Sequence, residues 1–471
     1  MEKLKLLNER IVSRVNANLR EFDFDTGRFI SNAIEYDKLS RFYCFYGITS
    51  HHPIDFYFKH ASMAGSYFLG KCAVNQSIIY KSDIRGDELK RKGDIMDQDN
   101  PLPLVEDETI VVNSSLLYKT LVHSNSHNIE TPEEFTIRNT VSSHYANIHG
   151  STIEGCFLGP FSTIDLMNLH SCIVGEFSYL QAGEFFHKKI DPGVIHIETK
   201  DFRFQYRYRK EEIDKYIGVN ESSQPRGLIQ QFVRGKEPEF ERLFKVVDLP
   251  PVQAPASSAV NRYAVIKGDT RIGENVLISQ GAYLEDAHMG DGSNAQENTY
   301  IIHSHLIGMN ITAHGGKIIN SEIGQKTFVG FNSFLFGKQN AKLTVGKGCI
   351  VMPHTIIDIE CPLQIPENHI IWGYITCEED LENNTISIEK LNAIDGKQTI
   401  GKMIFSGQGK IFINGFKNRI EQILVANGAY CDHDEDCRGH AQDDQQISFN
   451  TLQPYRSGKD EGLYPFIRIR P

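Results

Sequence analysis

The feature that most constrains this chain is a recurring step of five or six residues between aliphatic or small side chains. Between residues 263 and 375 the step is marked by Ile272, Ile278, Leu284, Met289, Ala295, Ile301, Ile307, Ala313, Ile318, Ile323, Val329 and Leu335. A shorter series comprises Ile148, Ile153, Leu158, Ile164, Leu169, Val174, Leu180 and Phe186. An α-helix repeats every ~3.6 residues and a strand every two, so neither accounts for this step.

The step predicts a solenoid, in which each coil is assembled from short strands joined by turns. One repeat cannot bury its inward side chain alone, so successive coils must stack. Glycine follows several of the marked residues directly, as at Gly273, Gly290 and Gly324. Tight corners favour residues that tolerate a left-handed backbone. We therefore expect a mainly β protein whose strands run parallel.

Two segments in the longer series resemble a known family. IGENVLISQGAYLEDAHMGDG (272–292) and SEIGQKTFVGFNSFLFG (321–337) resemble the bacterial hexapeptide-repeat proteins. The resemblance implies a left-handed parallel β-helix with three faces per coil, in two stretches at 131–190 and 263–375. It also implies a homotrimer, because cyclic assembly is the usual way to cover flat solenoid faces.

The rest of the chain flanks these stretches. A helical stripe at residues 4–19 and a helix-like segment at 415–428 indicate α-helices near both ends, and the last residues, 463–471, are expected to form a surface tail. We predict an N-terminal α/β region at 1–130, a first β-helix stretch at 131–197, a helical insert with a proline-rich linker at 198–262, a second β-helix stretch at 263–376 and a C-terminal α/β extension at 377–471.

Composition narrows the classes of partner and compartment. The chain carries 49 Lys and Arg against 60 Asp and Glu, a net charge of −11. Such a balance gives no general attraction to nucleic acid, and the sequence has no apolar run long enough to span a membrane. Nine scattered cysteines fit reduced thiols better than a disulfide framework. We expect a cytoplasmic protein that acts on a small-molecule substrate.

Three histidines in the first stretch are candidate metal ligands. His144 and His149 stand in the sequence SHYANIHG, and His123 ends an apolar run upstream. Three neutral imidazoles make an open zinc site whose fourth position holds water. Zinc lowers the pKa of that water toward ~7, which generates hydroxide at neutral pH.

The order of motifs around these histidines is similar to that of the γ-class carbonic anhydrases. SDIRGDE (82–88), the VH that ends at His123, and SHYANIHG carry the resemblance. It implies His123, His144 and His149 as ligands of one divalent metal at a subunit boundary, with zinc as the expected ion, and Arg85 and Asp87 as an interface ion pair. The implied reaction is hydration or hydrolysis of a small carbonyl compound, with carbon dioxide the first to test. The sequence departs from the family where Leu117 and Tyr118 replace its Gln-Asp pair.

The second stretch suggests a different chemistry. SNAQENTYIIH (293–303) resembles the family's Asn-x-Gln-Asp segment, but the partner expected five residues after His314 is Ile319. Many hexapeptide-repeat proteins are acyltransferases that use one histidine as general base against an acyl thioester. Under this alternative His303 or His314 is catalytic and the donor is acyl-CoA. A third alternative is a non-enzymatic trimeric scaffold that binds a partner. Cys431, His433, Cys437 and His440 form a weaker candidate zinc cluster.

Overall fold

The chain folds into two compact units. Unit 1 comprises residues 1–193, 217–226 and 447–471, and unit 2 comprises 194–216 and 227–446. The structure, a computed structural model, describes residues 2–31, 33–40, 44–95, 102–125, 133–243, 252–431, 439–452 and 463–470. None of the helices in these ranges is long and apolar enough to cross a membrane.

Unit 1 is built around three ladders of parallel strands, as the repeat predicts. The first ladder holds Cys44–Ile48, Tyr67–Leu69, Asp83–Arg85, Leu121–His123, Asn147–His149, Thr163–Asp165 and Tyr179–Gln181. The second holds Phe56–Ala61, Cys72–Asn75, Thr109–Asn113, Glu134–Arg138, Ile153–Glu154, Asn168–His170 and Glu184–Phe186. The third holds Ile78–Tyr80, Leu116–Tyr118, Val141–Ser142, Phe157–Leu158, Ile173–Val174 and Lys189–Ile190.

The coils of unit 1 begin well before residue 131, the predicted start of the first stretch. Asp83 already lies opposite Tyr67, and Thr163 lies opposite Asn147 with the same sequence spacing in a later coil. The next two coils are longer, because Leu121 lies opposite Asp83 and Asn147 opposite Leu121. These insertions interrupt the five- or six-residue step, which explains why the repeat is invisible in the sequence upstream of residue 131.

Unit 2 contains three further parallel ladders over the predicted second stretch. The first holds Ala259–Val260, Leu277–Ile278, Asn294–Ala295, Ile311–Thr312, Phe328–Val329, Ile350–Val351 and His369–Ile371. The second holds Val265–Lys267, Tyr283–Glu285, Tyr300–Ile302, Lys317–Ile319, Phe334–Phe336, Ile356–Asp358 and Tyr374–Ile375. The third holds Arg271–Ile272, His288–Met289, His305–Leu306, Ser321–Ile323, Leu343–Val345 and Leu363–Ile365.

Aliphatic side chains fill the solenoid interior in both units, with two corrections to the predicted set. In unit 1 Phe185, which lies opposite Leu169 on the neighbouring coil, is buried, whereas the marked residue Phe186 is 55% exposed. Leu306, which pairs with Met289 and Ile323 across neighbouring coils, is fully buried. The marked residue Ile307 is 47% exposed. The step of the repeat is five residues at this point and seven before the next one, so Leu306 takes the interior position.

Short polar side chains close one interior corner of unit 1 from coil to coil. The hydroxyl of Ser77 accepts a hydrogen bond from the backbone N–H of Ser115, and Ser115 accepts from Thr140 in the same way, both at 3.1 Å. Thr140 accepts from Cys156 at 3.4 Å, and the thiol of Cys156 accepts from Cys172 at 3.3 Å. This ladder satisfies buried backbone donors at the turn, so the thiol of Cys156 has a structural role.

Helices and antiparallel strands are added to both solenoids. Unit 1 has helices at Glu2–Asn18, Arg20–Phe22, Gly27–Ile30 and Tyr36–Ser40, and antiparallel strands at Gly218–Val219, Pro225–Arg226, Ser448–Leu452 and Tyr464–Ile469. Unit 2 has helices at Lys210–Asp214, Leu228–Leu243, Glu378–Asp380, Leu381–Asn384, Ile388–Asn392, Gly409–Ala426, His440–Asp443 and Asp444–Gln446, and antiparallel strands at Val194–Glu198, Phe202–Arg207, Thr385–Ser387, Asp395–Ile400 and Met403–Gln408.

The helical stripe at the N-terminus forms the predicted helix, Glu2–Asn18, and its apolar side chains Leu4, Leu7, Ile11 and Val15 are buried. The predicted insert at 198–262 is only partly helical, because Phe202–Arg207 forms a strand. The expected surface tail also differs, since Tyr464–Ile469 pairs antiparallel with Phe56–Ala61. Pairing with a chain-terminal strand covers an otherwise open sheet edge.

Candidate functional site

Two of the three predicted metal ligands lie side by side in unit 1. His123 and His149 occupy the third position of neighbouring strands and pair in register. Their rings are nearly parallel, with centroids 5.1 Å apart and an angle of 15° between planes. Both side chains are buried. We call these two residues the edge pair. Their rings lie side by side because in-register side chains of neighbouring parallel strands point the same way.

A buried carboxylate orients His149. Asp165 follows one coil later, and its Oδ1 lies 2.7 Å from Nδ1 of His149. The hydroxyl of Tyr179, in the next coil, donates to the other oxygen of Asp165. A carboxylate at Nδ1 fixes the ring and directs Nε2 away from it, which is the usual arrangement behind a metal-binding or proton-accepting histidine.

The predicted ion pair of Arg85 and Asp87 forms within unit 1 and contacts the edge pair. Nη2 of Arg85 donates to Oδ2 of Asp87, and Nε2 of His123 lies 3.3 Å from Oδ1 of the same carboxylate. Burial alone would raise the pKa of Asp87, but Arg85 and His123 hold it well below its usual range. The carboxylate is therefore a fixed negative charge beside His123.

His144, the third predicted ligand, lies at the corner before the edge strand. Its Nδ1 is 2.9 Å from the hydroxyl of Ser143, and its ring packs against Tyr118 with centroids 4.4 Å apart. Burial, with a smaller effect from Lys119, lowers the pKa of His144 to about 3. The structure thus brings His123 and His149 together and places His144 in a separate, buried setting.

The corresponding corner of unit 2 holds a histidine and a carboxylate. Nδ1 of His314 lies 2.8 Å from Oε2 of Glu297, and the two side chains are 4% and 3% exposed. Their neighbours Thr312 and Ala295 pair in register, so Glu297 and His314 occupy the same corner of successive coils. We call these two residues the corner dyad. A buried pair at this distance is far less screened than one on the surface.

The other histidines of the second stretch are more solvated. His303 is 52% exposed, and its Nδ1 lies 3.3 Å from the half-exposed carboxylate of Asp286. His305 stacks on His288 with centroids 4.3 Å apart, on a different ladder. Burial, followed by the effect of His288, lowers the pKa of His305. The structure therefore separates His314 from His303 and His305.

Several residues of these sites were not predicted as members. Asp165 and Tyr179 are absent from the predicted sites. Glu297 lies in the motif SNAQENTYIIH (293–303) but was not predicted as a site residue. A signal was present, because Asp165 follows His149 by one 16-residue coil. Lys317, also not predicted, is buried near Tyr300, and burial lowers its pKa to about 7.

The weaker zinc candidate falls largely outside the described residues, which exclude 432–438. Cys431 is buried, and His440 begins the helix His440–Asp443. His433 and Cys437 lie outside the described residues.

Family comparisons agree with the architecture. A family model described as "Hexapeptide repeat including loop" matches residues 100–221. Together with the stacked parallel coils and a closely similar solved structure, this match defines the class of the protein. The chain belongs to the hexapeptide-repeat superfamily of left-handed β-helix proteins.

The similar solved structure is that of a protein of Desulfovibrio desulfuricans G20 provisionally described as an acetyltransferase. It is 50% identical, covers 100% of this chain and 99% of its own, and superposes with a TM-score of 0.91. The carboxysome assembly protein CcmM of Nostoc sp. (strain PCC 7120 / SAG 25.82 / UTEX 2576) is 31% identical over 137 residues. That match covers 24% of this chain and 24% of CcmM, so the chain spans about a quarter of that curated relative.

Proposed function

We propose that the protein is an acyltransferase of the hexapeptide-repeat type, with His314 as its general base and acyl-CoA as its donor. The observation that carries this proposal is the corner dyad, a buried imidazole whose Nδ1 is held 2.8 Å from a buried carboxylate. A carboxylate at Nδ1 keeps the tautomer whose Nε2 accepts a proton. Support also comes from the 50% identity to the Desulfovibrio protein over the whole chain.

The proposed step moves one proton and one acyl group. Nε2 of His314 takes a proton from a hydroxyl or amine of the acceptor while that oxygen or nitrogen attacks the thioester carbonyl carbon. The new C–O or C–N bond forms and the C–S bond breaks. The imidazolium then returns its proton to the leaving thiolate, which yields the acylated acceptor and free thiol. Glu297 stabilises the transient positive charge on the ring.

His314 is favoured over His303 by its surroundings. Both histidines have a carboxylate at Nδ1, but the side chains of His303 and Asp286 are 52% and 42% exposed. Water competes for the hydrogen bonds of such an exposed pair, so the attraction between its imidazole and carboxylate is weak. The buried corner dyad keeps its geometry, so the proposal assigns the base role to His314.

The test is release of coenzyme A from acetyl-CoA in the presence of a panel of small amines and alcohols. Chromatographic detection is needed, because the nine cysteines of the chain would react with thiol reagents. We expect His314→Ala to lower the rate by about 10²–10⁴-fold, the usual contribution of a general base. A matched control is His369→Ala, which removes a partly exposed imidazole bonded to the Glu367 carbonyl. His303→Ala distinguishes the two candidate bases.

The proposal fails if His314→Ala retains the wild-type rate with an acceptor that the wild type acylates. A loss in His303→Ala with no loss in His314→Ala would transfer the base role to His303. No acceptor-dependent release by the wild type from any acyl-CoA in the panel would favour the scaffold alternative.

We propose as a second candidate function a divalent metal site at the edge pair, favoured by the contact of His149 with Asp165. Zinc prefers neutral imidazole ligands backed by carboxylates, which is the chemistry of these residues. The pair offers two ligands of the three that an open zinc site needs. The resemblance to γ-class carbonic anhydrases implies a site between subunits, which is compatible with the separate setting of His144.

A divalent ion would supply Lewis acidity that activates water at neutral pH, and the reaction would be hydration or hydrolysis of a small carbonyl compound. The test is elemental analysis after growth with zinc. We expect His149→Ala to lower metal content by about tenfold or more. His51→Ala, which alters an exposed imidazole of unit 1, is the control. Full metal in His149→Ala, or none in the wild type, contradicts this candidate.

Assembly as a homotrimer in the cytoplasm completes the proposal. Solenoids of this superfamily present flat faces, and cyclic association covers them. Light scattering of the wild type should give three times the mass of the chain. A particle with the mass of one chain at micromolar concentration would contradict the trimer. It would not bear on the role proposed for the corner dyad.

A further inference from the structure

A groove of about 500 Å³ lies between the N-terminal helix and one corner of unit 1. The helix Glu2–Asn18 contributes Arg10 and Arg14 to its wall, and the solenoid contributes Gln76, Ser114 and Asn139 to its floor. The volume falls in the range of small-molecule sites. Neither the candidate metal site nor the corner dyad uses any of these residues.

The floor of the groove is a regular row of polar side chains. Gln76, Ser114 and Asn139 each follow directly after a strand of one parallel ladder and have left-handed φ angles of 47°, 50° and 48°. At the next coil the row ends with Gly155, where a Cβ atom would lie 2.9 Å from Nδ2 of Asn18. The helix therefore touches the corner at Gly155, and the groove opens over the three earlier coils.

The wall of the groove is positively charged. Arg10 and Arg14 are one helical turn apart, so their side chains share a face of the helix. Among the residues that the structure describes, no carboxylate lines the groove, and no carboxylate lies within 4.0 Å of either guanidinium. Two guanidinium groups with no ion-pair partner among the described carboxylates form a local positive charge in a chain of net charge −11.

We propose that this groove binds a small molecule that carries a diphosphate group. Guanidinium groups bind phosphate through paired, charge-assisted hydrogen bonds. Two of them one turn apart can each form such a pair with one of two linked phosphates, whereas on a single phosphate they would have to share its oxygens. The amides of Gln76 and Asn139 and the hydroxyl of Ser114 offer uncharged hydrogen bonds to the rest of such a ligand. This inference is independent of the proposed acyltransferase.

The test is calorimetric titration of the full-length protein with inorganic pyrophosphate. The protein is first stripped of metal and then freed of chelator, because pyrophosphate binds divalent ions. We expect saturable binding that weakens about tenfold or more for Arg10→Gln and again for Arg14→Gln, as for lost hydrogen bonds to charged groups. Glutamine retains helix propensity, and circular dichroism checks that the helix remains. Arg20→Gln, an exposed change beyond the groove, is the control.

Three results would overturn the proposal. The first is no saturable binding at millimolar pyrophosphate. The second is an affinity unchanged by the Arg10→Gln and Arg14→Gln double substitution, or lowered equally by Arg20→Gln. The third is equal affinity for orthophosphate and pyrophosphate, because two guanidinium groups should favour two linked phosphates. Tighter binding of adenosine diphosphate than of pyrophosphate would support a role for the floor residues.

Discussion

The same corner of the coil holds a histidine in both units, but the side chain one coil earlier differs. In unit 1 the residue one coil before His144 is Lys119, and the ring of His144 packs against that of the neighbouring Tyr118, with centroids 4.4 Å apart. In unit 2 His314 follows Glu297 and lies 2.8 Å from its carboxylate. Each histidine precedes a left-handed residue, Tyr145 or Gly315, and stands three positions before a strand of its ladder. Equivalent backbone positions thus carry different chemistry.

The edge of the ladder shows the opposite distribution. Unit 1 places His123 and His149 at the third position of paired strands, whereas unit 2 places the buried residues Ile302 and Ile319 there. The imidazole proposed as the base is therefore at the corner in unit 2, whereas the paired imidazoles of unit 1 are at the edge. In a stacked solenoid, the residue one coil away decides what a histidine can do.

The two corners are equivalent only if Leu306, and not Ile307, takes the interior position in unit 2. A core substitution tests this register with the largest expected effect. We expect Leu306→Ala to lower the free energy of unfolding by about 2–5 kcal/mol, because it leaves a cavity in the interior. Ile307→Ala should change it by less than about 0.5 kcal/mol, since that side chain is 47% exposed. Denaturant unfolding measures both. A larger loss of unfolding free energy for Ile307→Ala than for Leu306→Ala would contradict this register and, with it, the equivalence of the two corners.

The edge pair provides a second, smaller expected effect. Asp165→Asn should weaken metal binding by about 10–100-fold, because the amide no longer orients His149 as the carboxylate does. Competition with a chromogenic zinc chelator measures the affinity. Asp286→Asn, an exposed carboxylate beside His303 in unit 2, is the matched control and should leave the affinity unchanged. Equal effects of the two substitutions would show that Asp165 acts only through net charge.

The corner of unit 1 should make stability depend on pH. His144 has its pKa lowered from 6.5 to about 3, so the unfolded chain binds a proton there before the folded chain does. Stability is complete above pH ~6.5 and falls by up to about 1.4 kcal/mol per pH unit as the pH drops toward ~3. Urea unfolding of the wild type and His144→Phe between these limits measures the difference. Identical slopes in the two proteins would contradict the burial of His144 as a neutral ring.

The architecture was predictable from the sequence because each coil of a solenoid places inward side chains at a regular spacing along the chain. The ladders between 263 and 375 and the helix Glu2–Asn18 follow the predicted patterns. The earlier coils of unit 1 were missed, because two long coils break the period. The strand Tyr464–Ile469 was also missed, since its partner, Phe56–Ala61, lies at the other end of the chain.

The sites were less predictable, because a contact between coils joins residues that are distant in sequence. His149 and Asp165 are 16 residues apart, and no local motif joins them. Adding one coil length to each histidine would have identified Asp165, and subtracting one would have identified Glu297. The burial that separates His314 from His303 depends on the folded chain and has no signature in the spacing.

Kinetics with acetyl-CoA test whether Glu297 makes His314 a base. The measurement is kcat for coenzyme A release by the wild type, Glu297→Gln and Glu297→Asp, with an acceptor that the wild type acylates. We predict that Glu297→Gln lowers kcat by about 10²–10⁴-fold with little change in KM for acetyl-CoA, because the ring loses its orienting negative charge. Glu297→Asp should recover part of the rate. A kcat for Glu297→Gln equal to that of the wild type would contradict the account.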